Sequence, residues 1–396
     1  MTGLRIGVDG GCWLNRRGYG RYTRSLLLAL ARRKDDDQYV IFVDRETAQS
    51  SDLPGRFQKV VVPTSQSPAR AASAARRRSL PDLWRMSWVA ARSAVDVLFF
   101  PSVYTFFPLL RPIPTVVTIH DVIAEHHPSL VFARRRLALF WRLKLALAIR
   151  QASVILTVSD HARHRIIEHF RLRPDRVRTI LEAPDRVFRR VEAARDPSEL
   201  LPACRLPRDG TRYLLHVGGL SPHKNLPVLL DAFRGLLGEG EFQDLRLLLV
   251  GDYQGDVFYS AYESLRAQAR RHDLEDRVSF IGYVTDDVLV QLYNRAELLV
   301  LPSLEEGFGL PAFEAAACGT PVVISSIGPA AGLLGSAAWA FPPHDVVALT
   351  QGLRDLLRDP ARRRVMGEAG RERARAFSWE QAADQAHAVF HEVSRS

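Results

Sequence analysis

One segment of this 396-residue chain combines carboxylates, glycines and prolines at the spacing a binding loop needs. It is Pro302-Ser303-Leu304-Glu305-Glu306-Gly307-Phe308-Gly309-Leu310-Pro311-Ala312-Phe313-Glu314. An apolar strand ends at Pro302 and a glycine-punctuated loop follows. A helix is then expected from Leu310 or Pro311 until Gly319 closes it, and PVVIS resumes a strand. At the carboxyl edge of an open parallel sheet, such a strand–loop–helix junction is where ligands bind. Gly307 and Gly309 let backbone N–H groups approach an anion, and a helix start favours negative charge. Glu306 and Glu314 do not suit phosphate. As acceptors they suit hydroxyl groups, such as those of a sugar or a ribose.

Three further segments carry candidate chemistry. Val217-Gly218-Gly219-Leu220-Ser221-Pro222-His223-Lys224-Asn225 also follows a strand and opens a helix. Ser221 or Asn225 is expected to cap that helix, with Pro222 in its first turn. Lys224 stands where a helix prefers anions, which makes sense if a diphosphate lies beside it. Gly18-Tyr19-Gly20-Arg21-Tyr22 opens the first helix but lacks the third glycine of GxGxxG. Asp44 is a weak candidate for the acidic residue after the second strand, so a dinucleotide site is disfavoured. A phosphate- or sugar-facing turn and a plain tight turn both remain open. Thr118-Ile119-His120-Asp121 ends another strand. There His120 either donates to a ligand or is a buried structural histidine, and Asp121 either orients it or meets a second substrate. His161 and His164 are three residues apart with no third ligand evident, and the adjacent His126 and His127 cannot easily share an ion. All four are assigned to structure or solvent, and no metal site is expected.

The elements that must position these residues are legible as an alternation. LRIGVD (4–9), YVIFV (39–43), KVVVP (59–63), VLFFP (97–101), TVVTIH (115–120) and SVILTVS (153–159) read as continuous apolar strands buried on both faces, with helices such as 20–33 and 132–150 between them. A charged, proline-containing stretch at 187–212 reads as a connection. The pattern then restarts with 213–218, 245–251, 277–282, 298–302 and 321–325. Ser378 and Gln381 form a capping box for a last helix. Its apolar stripe is Trp379, Ala382, Ala383, Ala386, Val389 and Phe390.

The composition is that of an ordinary globular protein, 47% hydrophobic and 25% charged. Cys12, Cys204 and Cys318 are far apart with no CxxC, which suggests neither zinc nor disulfides and fits a reducing cytoplasm. The start reads as a strand rather than a signal peptide, and no run of 18 apolar residues is present. The net charge of +10 is uneven, at +17 over residues 1–190 and −7 over the rest. Such asymmetry fits an anionic partner, or simply an arginine-rich surface.

In order along nearly the whole chain, GYGRYT (18–23), TIHD (118–121), LTVSDHAR (156–163), HVGGLSPHKN (216–225), LVGD (249–252), FIGYV (280–284) and LPSLEEGFGLPAFEAAACGTPVV (301–323) resemble glycosyltransferase family 4, the retaining transferases of the GT-B fold. The spacing of Glu306 and Glu314 is the family's Glu-x7-Glu pattern. The resemblance implies an α/β protein of two Rossmann-like, doubly wound domains facing an interdomain cleft. The N-terminal acceptor domain is 1–190 with the returning helix 378–396, and the C-terminal nucleotide-sugar domain is 205–377. It implies that Glu314 binds the donor ribose and Glu306 the transferred sugar, while the Gly307, Phe308, Gly309 and Leu310 amides serve the sugar and diphosphate. Lys224 would hold the diphosphate, Tyr283 and Val284 would flank the base, His120 would contact the sugar near the reaction centre, and Gly20 would lie under the diphosphate. Many members carry an arginine where this chain has Gly219. Its absence leaves the diphosphate resting more on Lys224, amides and helix dipoles, with Arg21 a candidate replacement.

The expected function is transfer of a hexose to a glycan, lipid-linked or small-molecule acceptor, with mannose favoured and glucose or N-acetylglucosamine as alternatives. The donor would be a GDP- or UDP-linked sugar, with no cofactor and no metal required. A sugar phosphorylase or a nucleotide-sugar hydrolase on the same fold is the alternative, and a basic nucleic-acid-binding protein a more distant one, since no recognition motif for nucleic acid is apparent. The expected location is the cytoplasm, peripheral to the membrane if the basic segments 76–92 and 134–150, which mix Arg and Lys with Trp, Phe and Leu, rest on anionic lipid.

Overall fold

The computed structural model describes residues 3–71, 79–132, 135–201, 212–238, 240–253 and 260–395. Cys204, the middle of the charged connection and the expected domain start at 205 lie outside them. The chain divides into two compact units, residues 1–182 with 378–396, and residues 183–377.

The first unit is built on a seven-stranded parallel sheet. Its strands are β1 (Arg5–Asp9), β2 (Gln38–Val43), β3 (Phe57–Val61), β4 (Val97–Phe100), β5 (Thr115–Thr118), β6 (Val154–Thr157) and β7 (Val177–Thr179), in the order 3-2-1-4-5-6-7. The second unit holds a six-stranded sheet of β8 (Tyr213–Val217), β9 (Arg246–Val250), β10 (Val278–Gly282), β11 (Leu298–Leu301), β12 (Val322–Ser325) and β13 (Ala338–Phe341), in the order 10-9-8-11-12-13. Every pairing in both sheets is parallel, as helical crossovers require. The continuous apolar runs form the central strands. β4, β5, β6, β11 and β12 are buried at every position because helices cover both faces.

The edges depart from that pattern. β3 is shifted to Phe57–Val61 and is mostly solvent-facing, with Val61 46% exposed, so it is not buried on both faces. β7 and β13 are strands that the apolar runs did not announce. Both are edge strands, VRT and AWAF, with one neighbour each and no need for an unbroken apolar run.

The last helix, Trp379–Val393, packs in the first unit although the chain reaches it through the second. Ser378 Oγ accepts the Gln381 N–H at 3.2 Å, and the whole apolar stripe is buried. Phe390 lies against Phe99 of β4 with ring centroids 5.0 Å apart, and Trp379 meets Tyr22 at 5.7 Å. Cys12 and Cys318 are free buried thiols. Among the described residues no helix is long and apolar enough to cross a membrane.

Phe390 is fully buried, so Phe390→Ala should lower the unfolding free energy by about 3–5 kcal/mol. Urea denaturation followed by circular dichroism measures this. A loss below about 1 kcal/mol would show that the returning helix is not part of the first unit's core.

Candidate active site

In the second sheet the strand order reverses between β8 and β11. Chain direction runs outward from β8 to β10 on one side and from β11 to β13 on the other. The loops after β8 and β11 therefore diverge from one crevice, the position at which open parallel sheets bind ligands. Lys224 follows β8 and Glu306 follows β11. The Lys224 Nζ donates to Glu306 Oε1 at 2.7 Å, and Ser303 Oγ donates to the same oxygen at 2.6 Å. One backbone bond and the Asn225 side chain hold the loops in register. The Leu304 N–H donates to His223 O at 2.8 Å, and the Asn225 amide donates to Pro302 O at 3.1 Å and Pro343 O at 2.6 Å.

This geometry corrects the expected capping. Pro222–Lys224 forms a separate 3-10 turn, Asn225 follows in the left-handed conformation at φ 55°, and the helix runs from Leu226 to Leu237. Neither Ser221 nor Asn225 caps it with a side chain, because the Asn225 amide is committed to the two proline carbonyls. Lys224 thus precedes the helix rather than lying in its first turn. The other helix meets its expected bounds, starting at Leu310 after Gly309 and ending at Gly319. Gly309 has φ 90°, a conformation that penalises any side chain.

Burial pushes the Glu306 carboxyl upward, but the Lys224 charge and the Lys224 and Ser303 hydrogen bonds outweigh it, so the group lies below the usual carboxylate range and is ionised at neutral pH. Beneath the pair, fully buried His216 donates from Nδ1 to Val300 O at 3.0 Å. Burial pushes it down to about 4, with the Lys224 charge adding to the effect, so its imidazole is neutral. Glu314, 2% exposed, accepts from the Tyr293 hydroxyl at 3.0 Å. Its charge, after burial, helps push the Cys318 thiol up to about 12. The Phe308 ring stacks on Phe313 in the core, with centroids 4.5 Å apart. What Phe308 offers the loop is therefore its backbone. Tyr283, just past β10, is 45% exposed, and Val284 is half-buried. At Gly219 an added Cβ would meet only Ser221 Oγ, at 3.7 Å, so space does not demand glycine there.

Gly20, Arg21, His120 and Asp121 belong to the first unit. Gly20 sits in the first turn of the helix Gly18–Arg32. A Cβ there would fall 2.0 Å from Asn15 O, so the glycine permits close packing of the helix on the preceding loop. Arg21 is half-buried in the same turn. His120 is 8% exposed just beyond β5, its Nε2 donating to Pro101 O at 3.2 Å and its Nδ1 3.7 Å from Glu182. The Tyr22 ring meets it edge-on at 4.7 Å, which brings the start of the first helix beside the β5 terminus. Asp121 Oδ1 accepts the Ile123 N–H at 3.0 Å. Asp44 caps Arg45–Ala48 through Thr47 N at 2.9 Å, a structural task that argues further against a dinucleotide site.

Several side chains that hold these groups were not singled out from the sequence. Ser303 had a readable signal, lying three residues before Glu306 in one loop. Tyr293 and Glu182 had none, because their partners are 21 and 62 residues away. Glu125 is a fourth. Burial pushes its carboxyl up to about 7, the Trp141 indole N–H donates to it and holds it down, and the Asp121 charge raises it further.

The family described as Glycosyltransferase Family 4 matches residues 16–183, and that described as Glycosyl transferases group 1 matches residues 202–373. The O-antigen chain mannosyltransferase B of Escherichia coli is 32% identical over 312 residues, covering 76% of this chain and 75% of that protein. Among solved structures, sucrose-phosphate synthase from Thermosynechococcus elongatus superposes with a TM-score of 0.76 at 21% identity, over 98% of this chain and 99% of that one. HepE from Anabaena, in complex with UDP-glucose, gives a TM-score of 0.73 at 19% identity, over 98% and 100%.

The folded protein holds the Glu125 proton up to about pH 7, whereas an ordinary glutamate releases it near 4.5. The stability this group contributes is therefore full below about pH 4.5 and is lost as the pH rises to about 7. Glu125→Gln keeps the Trp141 hydrogen bond and removes the titration. Its melting temperature should gain on that of the wild type between pH 5 and pH 8. A difference independent of pH would show that Glu125 titrates normally.

Proposed function

Since the chain belongs to glycosyltransferase family 4 and is a glycosyltransferase of the GT-B fold, we propose that it moves a hexose, mannose foremost, from a nucleotide-diphosphate sugar to a glycan or lipid-linked acceptor with retention of configuration. The observation that carries this reading is the Lys224–Glu306 pair at the β8/β11 reversal. It sets a cation suited to a diphosphate against a carboxylate suited to sugar hydroxyls. The mannosyltransferase relative supports mannose. The UDP-glucose complex of a fold neighbour makes a UDP-linked donor the second choice.

In this reading the second unit binds the donor. Glu314 accepts from ribose hydroxyls and Glu306 from the sugar, the amides of Gly307–Leu310 donate to sugar and phosphate oxygens, and Tyr283 with Val284 flanks the base. Lys224 exchanges part of its bond to Glu306 for the diphosphate, whose negative charge grows as the bond between the anomeric carbon and the phosphate oxygen breaks. The acceptor oxygen forms its bond to that carbon on the same face, and its proton passes to the departing phosphate. No protein base and no metal is needed for this step. In the first unit, Gly20, Arg21, His120 and Asp121 serve the acceptor. With glycine at 219, charge stabilisation falls chiefly on Lys224 and backbone amides.

The acceptor class draws on two exposed apolar faces of the first unit. Leu80, Trp84 and Trp88 are 77%, 59% and 39% exposed at successive turns of the helix Leu80–Arg92. Leu139, Phe140 and Leu143 are exposed on Arg135–Gln151, a helix without a single Asp or Glu. The two helices lead into β4 and β6, and right-handed crossovers place them on the same side of the sheet. Apolar side chains among basic ones fit an anionic membrane surface, where lipid-linked acceptors lie.

Glu306→Gln and Lys224→Ala should each lower kcat/KM by on the order of 10²–10³-fold while circular dichroism stays native. The assay is product analysis against GDP-mannose, UDP-glucose and UDP-N-acetylglucosamine, with and without acceptor. Full activity in either variant would sink the site. Release of free sugar without transfer would favour a hydrolase. Co-sedimentation with anionic vesicles should be strong at low salt and weak with neutral vesicles, and Leu139→Gln/Phe140→Gln/Leu143→Gln should abolish it. Equal recovery with both vesicle types would remove the membrane reading.

A further inference from the structure

We propose that Asp37, His387 and His391 form a binding site for a divalent transition-metal ion of the zinc class, which staples the last helix to the first unit. The site is remote in sequence and plays no part in the transfer reaction proposed above. His387 and His391 are one turn apart on Trp379–Val393, so both imidazoles project from one helix face. Asp37 immediately precedes β2 and is almost fully buried. The candidate ligand atoms of all three side chains lie within 4.8 Å of one another.

The hydrogen-bonding pattern leaves an atom that an ion would satisfy. Asp37 Oδ1 accepts the Leu4 N–H at 2.7 Å, and Oδ2 accepts from His391 Nε2 at 2.8 Å. His387 Nε2 stands equally close to Oδ2, at 2.8 Å, yet it is buried and its direction makes no hydrogen bond. A cation held by both Nε2 atoms and Oδ2 requires these contacts to open by a few tenths of an ångström. Asp35 Oδ2, 3.5 Å from His387 Nε2, is placed to become a fourth ligand. Two imidazoles four residues apart on a helix, with carboxylate oxygens, form a donor set that zinc takes readily and that magnesium or calcium does not.

The surroundings tolerate a positive ion. Asp35, Asp37 and Asp384 are the nearby carboxylates. The nearby guanidiniums, Arg33 and Arg56, are already bound, Arg33 to Asp35 and Asp384 and Arg56 to Asp35. Arg33 Nη2 lies 3.3 Å from His387 Nδ1. Metal binding at Nε2 puts the proton on Nδ1, so Arg33 must withdraw from this contact while keeping its carboxylates.

The test uses the full chain with any affinity tag removed, stripped with chelator and titrated with Zn²⁺ by calorimetry, with the bound metal measured after gel filtration. One equivalent should bind and raise the melting temperature. His387→Gln and His391→Gln keep hydrogen-bonding groups and remove the imidazoles. Each should weaken binding by more than the roughly 10–100-fold seen when a residue that merely orients a ligand is lost. His344→Gln, at an exposed position elsewhere, should bind as the wild type does. Absence of binding, or binding that survives both His387→Gln and His391→Gln in natively folded protein, overturns the site and leaves a hydrogen-bonded clasp. Because the readout is metal content, it stands apart from any failure of the sugar-transfer reading.

Discussion

The ion pair between Lys224 and Glu306 can exist only because the second sheet reverses its strand order between β8 and β11. A pair with both side chains 15% exposed loses most of its hydration, and the attraction offsets that loss only when the remaining lone pairs and protons are satisfied. Ser303 supplies one such bond. The backbone bond from Leu304 to His223 and the side-chain bond from Asn225 to Pro302 keep the two loops from sliding apart. The neutral His216 below adds no competing charge. The pair is therefore held fixed, with its carboxylate ionised.

The same constraint explains what surrounds it. The helix after Gly309 points its first turn at the crevice, while the Phe308 ring is drawn into the core against Phe313. The loop is fixed by packing and so can present amides rather than a mobile side chain. Glu314, one turn further along, is fixed by Tyr293. In the first unit a comparable economy holds. Gly20 lets the first helix sit on Asn15, and Tyr22 buttresses His120. The last helix closes that unit's core through Phe390 and Trp379.

Much of the fold was legible because central parallel strands must be apolar throughout and the connecting helices must be amphipathic. β1, β4, β5, β6, β11 and β12 were readable for that reason. β7 and β13 were not, because an edge strand with one neighbour needs no such run, and β3 was displaced for the same reason. In the site, Glu306, Gly309 and Glu314 share one loop and one helix, so their spacing carried the information. The Asn225 side chain was misassigned, because a capping preference is local and its real partners, Pro302 and Pro343, are 77 and 118 residues away.

The amino-acid sequence by itself determined the alternation of strands and helices, the family, and the short-range order of the glycine loop, since these are set by periodicity, by short motifs in a fixed order, or by residues within a dozen positions of one another. Only the tertiary structure decided that Lys224 spends its charge on Glu306, that Tyr293 holds Glu314, that Glu182 stands by His120, and that two histidines of the last helix converge on Asp37. Those contacts span from 21 to more than 350 residues, and distance along the chain carries no energetic mark until the sheets bring the ends together.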